Sequence, residues 1–379
     1  MHLEARGEVD YSAAKANPWS LIHIYYALWK FDMKAVFVKG PAQVEVRIVD
    51  KPSIGHGEMM VRMRACGVCG SDLEKIYGQY SQPSMRLGHE PSGIISEVGQ
   101  SVKNFKKGDR VFVHHHVPCY SCHYCLHGNE TMCEKYSETN LLPCGLAEEF
   151  VVPEWNVNHG GVIKILDSMS FDEAAMIEPL ACCIRAWNKI QAKGGDSVAI
   201  FGVGPTGMMH VMLSKVHGVQ DIFCFDVNDF RLDFAKKFGI TESIKSTDPK
   251  AQEKILKKTQ NRGVDVAIVA TGSLNAITQA VEFVRKGGTI VLFGVPSRDA
   301  KLSLDVSKVY SKEITITPSY AASDTDTMNA FKLIQDNKID VRKLITHKFD
   351  LSESHKALEY AHKGNDSMKI IITNSETLN

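Results

Sequence analysis

Four cysteines lie within a fifteen-residue stretch of the chain, in the pattern C-x2-C-x2-C-x7-C. They are Cys119, Cys122, Cys125 and Cys133. Four thiolates at this spacing can surround one tetrahedral zinc ion, with short turns of chain between the ligands. A shell of four thiolates leaves no position open for a substrate. The sequence therefore predicts a structural zinc, and it directs attention to a second, open metal site.

A second group of possible metal ligands is spread along the chain. It contains one thiol, one imidazole and three carboxylates beside a hydroxyl: Cys69, Ser71, Asp72, His89, Glu90 and Glu178. One thiolate, one imidazole and one or two carboxylates can hold zinc and leave a position for water or substrate. Taken singly, Cys69 also suits a small core residue, Glu90 a surface charge and Glu178 a charge at a helix start. The residue types alone leave these alternatives open.

A glycine-rich turn, G-x-G-x-x-G, provides a third candidate site. Its functional positions are Gly202, Gly204, Pro205, Thr206 and Gly207. The turn follows a predicted strand, Ser197–Phe201, and opens a predicted helix, which is the context that a dinucleotide-binding turn requires. The glycines would allow a tight turn, a close approach of the pyrophosphate and close packing of helix on strand. The phosphates would then rest at the helix N-terminus.

Asp226 ends the next predicted strand, nineteen residues after Gly207. A carboxylate there accepts hydrogen bonds from the adenosine ribose and would repel a 2′-phosphate, so Asp226 favours NAD over NADP. A helix N-cap is the alternative role for Asp226. Arg231 can stack on adenine or hold a phosphate. Val295 follows the predicted strand Thr289–Phe293, and its backbone would lie where the nicotinamide is expected.

The elements that must position these residues fall into two patterns. Short alternating runs broken by glycine and proline, from residue 33 to about 152, predict an antiparallel, barrel-like domain. From Ser197, strands alternate with helices, which predicts a parallel doubly wound sheet. After Pro318 we predict one helix, about Asp324–Asp336, and a final strand, Lys369–Thr373. These elements are expected to return to the first domain.

The chain is thus divided into four segments. They are an N-terminal extension of unknown role (1–32), a catalytic domain (33–184) with the zinc lobe at about 114–137, an NAD-binding domain (185–317) and the return to the catalytic domain (318–379). The extension has acidic residues and no clean cleavage site, so it does not suit a signal peptide. A chain start at Met33 is the alternative interpretation.

Composition excludes some partners. Lys+Arg and Asp+Glu both number 44, so the balanced charge gives no electrostatic reason to expect nucleic acid or an anionic membrane. No apolar run approaches the length of a membrane-spanning helix. Ten cysteines, several at metal-type spacing, fit a reducing compartment, which we take to be the cytoplasm.

With these motifs in this order, the chain resembles the zinc-dependent medium-chain dehydrogenase/reductase family from Met33 to nearly the C-terminus. The resemblance is carried by the four-cysteine lobe and by the runs Gly88-His89-Glu90-Pro91-Ser92-Gly93 and Gly108-Asp109-Arg110-Val111. Glu178-Pro179-Leu180 is similar to the sorbitol (polyol) and threonine dehydrogenase branch. The family implies a GroES-like antiparallel β-barrel joined to a Rossmann domain, in a homodimer or homotetramer.

The resemblance implies that Cys69 and His89 bind a catalytic zinc, which makes two zinc ions per chain. The third ligand stays open. In polyol dehydrogenases the glutamate of the His-Glu pair binds zinc and the later glutamate orients a water, whereas alcohol dehydrogenases proper have a cysteine in the position of Glu178. We expect Glu90 and Glu178 both to belong to the site, with one bound to the metal at a time. Cys182 is interpreted as a core residue.

The resemblance also implies the roles of two neighbours of Cys69. Ser71 is placed to take the hydroxyl proton of an alcohol and pass it toward solvent. Asp72 is expected to hydrogen-bond His89. The run His114-His115-His116 is interpreted as a strand end, one ring of which can face the cleft.

The predicted function is therefore a zinc-dependent transfer of hydride between a secondary alcohol or polyol and NAD(H), with NADP less favoured. Threonine, an aldose or an aldehyde are alternative substrates within the same family. A catalytically inactive nucleotide-binding member is an alternative of another class, and the complete open metal site argues against it. A stand-alone zinc-binding interaction module is a further alternative, and the complete nucleotide-binding half argues against that.

Overall fold

A computed structural model describes residues 32–78 and 87–374, and these contain two large β-sheets of different kinds. The predicted N-terminal extension lies outside the described residues, apart from Asp32. None of the helices within the two described ranges is long and apolar enough to cross a membrane.

The strands, numbered in chain order, are β1 (Asp32–Gly40), β2 (Gln43–Asp50), β3 (Met59–Gly67), β4 (Pro91–Val98), β5 (Arg110–Val113), β6 (Glu149–Val152), β7 (Val162–Lys164), β8 (Ser197–Phe201), β9 (Asp221–Asp226), β10 (Glu242–Lys245), β11 (Val264–Val269), β12 (Val284–Leu292), β13 (Thr315–Pro318), β14 (Ile345–Asp350) and β15 (Lys369–Thr373). The helices are α1 (Gly70–Tyr77), α2 (His123–Leu126), α3 (Glu154–Asn158), α4 (Phe171–Ala174), α5 (Ile177–Trp187), α6 (Pro205–Val216), α7 (Asp229–Lys236), α8 (Ala251–Lys258), α9 (Leu274–Phe283), α10 (Val306–Ser311), α11 (Asp324–Gln335) and α12 (Ser354–Lys363).

The first sheet is parallel, with the strand order β10-β9-β8-β11-β12-β13. Its central strands are apolar runs because helices cover both faces; every residue of Ser197–Phe201 is buried. The strand order reverses between β8 and β11, and such a switch point opens a crevice at the carboxyl ends of the strands. The predicted doubly wound sheet is confirmed.

The second sheet is mainly antiparallel, with the order β14-β15-β3-β4-β5-β7 and with β6 paired to β3. Strands β1 and β2 form a separate antiparallel pair. Strand β3 is central because it pairs with β4, β6 and β15, and it ends at Gly67, just before the first candidate ligand. The prediction of an antiparallel domain in this part of the chain is confirmed.

The C-terminal part of the chain contains more regular structure than predicted. Beyond the predicted helix and final strand, the structure adds β14 and α12. Strand β14 lies at the sheet edge and is only partly buried, so its sequence shows no clean alternation. In α12 only Ser354, Ala357 and Leu358 are buried, which is too few for a clear helical period.

Helix α5 packs where the two sheets meet. Ile177, Leu180 and Ile184 belong to one continuous hydrophobic core, which also includes Phe112 from β5 and Ile200 from β8. Burial of such side chains contributes roughly 1.5 to 3 kcal/mol each. Helix α5 therefore holds a fixed position relative to both sheets.

Candidate active site and cofactor cleft

Cys69, His89 and Glu90 form a compact cluster in which the sulfur, a ring nitrogen and a carboxylate oxygen all lie within 4.8 Å of one another. Cys69 follows β3, whereas His89 and Glu90 precede β4. Strands β3 and β4 pair antiparallel, with Cys66 opposite Pro91. The end of one strand therefore meets the start of the next, and the two loops bring the three residues together.

The orientation of His89 is set by Asp72, at the start of α1. Asp72 is fully buried, and its Oδ1 lies 3.4 Å from Nδ1 of His89 and accepts the backbone N–H of Gly88 at 3.2 Å. Burial by itself raises the pKa of Asp72, but the adjacent imidazole and these hydrogen bonds outweigh burial and lower that pKa to about 2. The resulting carboxylate favours a proton on Nδ1 and leaves Nε2 free to bind a metal. Ser71 places its hydroxyl 3.4 Å from this Nε2.

Glu90 is fully buried and forms an ion pair with Lys369 of β15. A side chain at Gly67 would collide with the pair, because a Cβ atom there would lie 1.8 Å from Oε2 of Glu90. The other carboxylate oxygen, Oε1, is buried without a hydrogen-bond partner among the described residues. A buried, unsatisfied carboxylate oxygen beside a thiol and an imidazole fits a zinc ion. The sequence analysis did not predict a role for Lys369. A lysine at the start of the apolar run Ile370-Ile371-Ile372 could have indicated a buried charge that needs an acidic partner.

Glu178 lies in the first turn of α5 and outside the 4.8 Å cluster. Its carboxylate is buried, and it accepts a hydrogen bond from the Cys182 thiol at 3.4 Å. Burial raises the pKa of Glu178, the imidazole of His89 opposes that rise, and the carboxylate of Glu90 adds to it. Glu178 is thus an electrostatic neighbour of the cluster. Cys182 is half-buried and contacts Glu178, so it does more than fill the core.

The four cysteines of the second candidate metal site also converge. The sulfurs of Cys119, Cys122, Cys125 and Cys133 all lie within 4.8 Å of one another, and all four are free thiols. Hydrogen bonds from the hydroxyl and the amide of Ser121 lower the pKa of Cys119 to about 6. Burial and the neighbouring thiols raise the pKa of Cys125 to about 12, so the case for a metal here is the convergence of the four sulfurs, which fits a tetrahedral zinc ion.

The glycine turn joins β8 to α6 in the geometry that the motif predicts. Gly202 has φ +87°, a left-handed conformation that favours glycine. One carboxylate oxygen of Asp226 accepts the backbone N–H of Val203 at 2.9 Å, which braces the turn. The alternative role for Asp226 is filled by another residue, because the side chain of Asn228 caps α7.

One cleft of about 470 Å³ joins the metal cluster to the glycine turn. The residues of both groups that line it are Cys69, Glu90, Gly202, Gly204, Pro205, Thr206, Asp226 and Arg231. Lys369 lines it as well. Val295 follows β12 at the same end of the sheet but is 55% exposed and is not among the lining residues.

A second, smaller cleft of about 220 Å³ lies beside His89. Its polar lining residues are Lys75, His89, His115, His116, Ser137 and Asn140. The ring of His115 has its centroid 5.1 Å from that of His89. Sequence reasoning missed Lys75, Ser137 and Asn140, and it had only the run of three histidines as a signal for this cleft.

A thiol–imidazole–carboxylate cluster and a dinucleotide turn that share one cleft define a metal-dependent oxidoreductase. Comparison with known proteins agrees. A family model for the alcohol dehydrogenase GroES-like domain matches residues 55–161, and one for zinc-binding dehydrogenases matches residues 205–336. The chain is 31% identical over 347 residues to sorbitol dehydrogenase of Bacillus subtilis, which covers 90% of this chain and 97% of that protein.

Solved structures show the same likeness. Zinc dependent alcohol dehydrogenase 2 from Streptococcus pneumonia is 32% identical with a TM-score of 0.81, covering 92% of this chain and all of that one. A short chain alcohol dehydrogenase from E. coli CFT073, complexed with the cofactor NADH, is 26% identical with a TM-score of 0.81, covering 91% of this chain and all of that one.

The chain belongs to the zinc-binding dehydrogenases, the zinc-dependent medium-chain dehydrogenase/reductase family that the motifs resemble. The predicted fold class, the enzyme class and the dependence on zinc and a nicotinamide cofactor are confirmed.

The glycine turn generates a prediction that separates packing from binding. A Cβ atom at Gly207 would lie 1.9 Å from the carbonyl oxygen of Gly202, whereas one at Gly204 would lie 3.5 Å from Nη1 of Arg231, an ordinary contact. We expect Gly207→Ala to destabilise the fold by about 1 to 3 kcal/mol because α6 must move away from β8. Gly204→Ala should change stability by less than about 0.5 kcal/mol.

Thermal unfolding and NADH fluorescence titration measure the two effects. Gly204→Ala should weaken NADH binding at an unchanged melting temperature, because its methyl group faces the cofactor cleft. Equal melting temperatures for the wild type and Gly207→Ala would show that the close approach of Gly207 to the carbonyl oxygen of Gly202 does not contribute to stability.

Proposed function

We propose that this protein oxidises a polyol, or another secondary alcohol bearing further polar groups, with NAD⁺ as hydride acceptor, and that it reduces the matching ketone in the reverse direction. One observation carries the proposal: the cluster of Cys69 and Glu90 and the glycine turn line the same cleft. Hydride transfer requires the reacting carbon and the nicotinamide to meet in one water-poor crevice.

In this proposal Cys69, His89 and Glu90 hold the catalytic zinc, and Glu178 lies next to it as a second carboxylate. The choice of Glu90 is supported by its place within the 4.8 Å cluster, from which Glu178 is absent. The four-cysteine lobe holds the structural zinc. A zinc ion supplies a Lewis acid, which makes the hydroxyl of an alcohol easier to deprotonate.

The protein groups move the proton and hold the ligands in place. Ser71 lies 3.4 Å from Nε2 of His89 and accepts the proton that leaves the substrate hydroxyl, passing it toward solvent. Asp72 keeps the ring of His89 oriented through Nδ1. A hydroxyl group at this place transfers a proton without adding charge to a buried site.

The cofactor in this proposal is NAD. Gly204, Pro205 and Thr206 line the cleft at the start of α6, where helix N–H groups favour the pyrophosphate. Asp226, 5% exposed, offers a carboxylate to the adenosine ribose and repels a 2′-phosphate. Arg231 lies next to Gly204 and stacks on adenine or neutralises the phosphates. We assign the backbone of Val295 to the nicotinamide side because Val295 follows β12 at the carboxyl end of the sheet, although it does not line the cleft.

The substrate class is supported by the second cleft. Imidazole, amide and hydroxyl groups from His115, His116, Asn140 and Ser137 line it beside His89. Such groups donate and accept hydrogen bonds, so they match the several hydroxyls of a polyol better than a hydrocarbon chain. The 31% identical sorbitol dehydrogenase acts, as its name states, on a polyol.

The proposal also covers the domain boundaries and the cellular compartment. We assign residues 33–184 and 318–379 to the catalytic domain and residues 185–317 to the NAD-binding domain, supported by the pairing of β15 with β3. The ten free cysteines suit the cytoplasm, where thiols stay reduced.

We also propose a homodimer or homotetramer. Strand β13 is an edge strand of the parallel sheet, and Val306 and Tyr310 beside it on α10 are 69% and 86% exposed. An unpaired strand edge next to exposed apolar side chains is a surface that a second copy of the chain can cover.

The first prediction from this proposal tests the reaction and its dependence on zinc. Zinc-loaded protein should form NADH from sorbitol or arabinitol, measured by absorbance, and should contain two zinc ions per chain. Cys69→Ser should remove one zinc and lower turnover by a factor of about 100 or more, because it removes a ligand. The control is Cys224→Ser, a buried cysteine of β9 that touches neither metal site. Retention of both zinc ions in Cys69→Ser, or no NADH from any polyol, would contradict the proposal.

The second prediction tests cofactor choice. We expect Asp226→Ser to raise the KM for NAD⁺ and lower that for NADP⁺, shifting the preference by roughly 10-fold or more because a repulsive carboxylate is lost. Steady-state kinetics with both cofactors measure the shift. A wild-type enzyme that already prefers NADP⁺ would show that Asp226 does not select the cofactor.

The third prediction tests assembly. Tyr310→Glu should lower the mass measured by light scattering toward that of a single chain, because it places a charge in the proposed interface. Tyr124→Glu, at a 45% exposed tyrosine of the four-cysteine lobe, is the control and should keep the wild-type mass. A wild-type protein that already has the mass of one chain would end this part of the proposal.

A further inference from the structure

The four-cysteine lobe is docked on two helices by a buried arginine. Arg185 extends from α5, and its Nη1 lies 3.0 Å from Oε2 of Glu130 in the lobe and 3.4 Å from Oδ2 of Asp326 in α11. Its Nη2 donates to the carbonyl oxygen of Gly128, also in the lobe, at 3.4 Å. The side chains of Arg185 and Asp326 are only 8% and 5% exposed. Glu130 is three residues before the metal-site cysteine Cys133.

Further contacts fix the lobe to the start of α11. The hydroxyl of Tyr136 donates to the carbonyl oxygen of Ala322 at 2.6 Å, and the hydroxyl of Tyr120 donates to Asp324. Asp326 accepts from the hydroxyl and the amide of Ser323, which caps α11. The carboxylate that Arg185 binds is therefore itself held in place.

Arg185 shares one face of α5 with Glu178, which interacts electrostatically with His89 and Glu90 of the catalytic cluster. Glu178, Cys182 and Arg185 are spaced four and then three residues apart, so they project from the same side of the helix. The Cys182 thiol donates to Glu178, which links two of the three. A rotation of α5 by about 20° would shift a side-chain tip by roughly 2 Å, given a helix radius of about 5 to 6 Å.

We propose that Arg185 is a positioning residue: by binding Glu130 and Asp326 it fixes the rotation of α5 and thereby the place of Glu178, so the structural metal lobe is mechanically coupled to the catalytic centre. The inference rests on the role of Glu178 in the proposed function. Helix α5 also donates hydrogen bonds to α6, from Trp187 to His210 at 3.1 Å and from Cys183 to the carbonyl oxygen of Thr206 at 3.6 Å. Arg185 adds the ion pairs that tie the helix to the lobe and to α11. A planar guanidinium that binds one buried and one partly exposed carboxylate constrains the rotation of the helix at this end.

A double-mutant cycle with Glu178→Gln tests the coupling. Arg185→Met should lower kcat by about 10- to 100-fold with the KM for NAD⁺ unchanged, because a shift of the order of 1 Å at a reacting group has such an effect. In the Glu178→Gln background the same change should lower kcat by less than about 3-fold, since residues that act through one another are not additive. Arg185→Lys should recover part of the loss. The control is Arg285→Met, which removes an arginine from an ion pair with Asp265 in the parallel sheet and should leave kcat unchanged.

A second variant covers the case in which Arg185→Met does not fold because Glu130 and the buried Asp326 lose their cationic partner. Glu130→Gln keeps the Arg185–Asp326 pair and weakens only the link to the lobe. With Co²⁺ in place of zinc, its visible spectrum should shift at the catalytic site. The spectrum of Cys69→Ser, in which only the lobe holds metal, is subtracted to isolate that site.

The outcomes separate this inference from the proposed function. Equal losses of kcat for Arg185→Met in both backgrounds, or a catalytic-site cobalt spectrum that Glu130→Gln leaves unchanged, would overturn the coupling while the catalytic role of the cluster stands. An unchanged kcat for Glu178→Gln alone would overturn the proposed role of Glu178, and the inference with it.

Discussion

A buried ion pair between Glu90 and Lys369 joins the metal cluster to the last strand of the chain. Its partners are 279 positions apart, and both are almost completely buried. Removing one partner of such a pair typically costs about 3 to 5 kcal/mol because the other charge stays buried alone. The antiparallel sheet is complete only when β15 returns beside β3, and Lys369 reaches Glu90 at that point. The metal cluster therefore depends on the whole fold rather than on its own loops.

The two sheets supply two kinds of chemistry to one cleft. The parallel sheet ends in a turn whose backbone N–H groups and helix N-terminus suit a pyrophosphate, and Asp226 both braces that turn and lines the cleft beside it. The antiparallel sheet brings loops together, which lets a thiol, an imidazole and a carboxylate converge. Helix α5 shares its core with both sheets and carries Glu178 in its first turn, so the packing of this helix also sets the place of that carboxylate.

Histidine chemistry in this protein depends on the surroundings of each ring. His89 has Asp72 at Nδ1, which leaves Nε2 for the metal cluster. Burial lowers the pKa of His114 to about 3, so that ring stays neutral inside the core. His115, one residue later, lines the polar cleft beside His89. Neighbouring histidines of one run therefore lie in the core or line a cleft according to the side of the chain from which each projects.

The sequence by itself determined what depends on near neighbours along the chain. The four-cysteine lobe, the glycine turn with Asp226, and the alternation of strands and helices after Ser197 could all be predicted, because short spacings and hydrophobic periods record local geometry. Only the tertiary structure decided that Glu90, and not Glu178, lies within 4.8 Å of Cys69 and His89. The partners Lys369 and Arg185, the polar cleft and the weakly periodic β14 and α12 also required it. These features depend on how distant segments pack against each other, and no spacing in a single sequence records that packing.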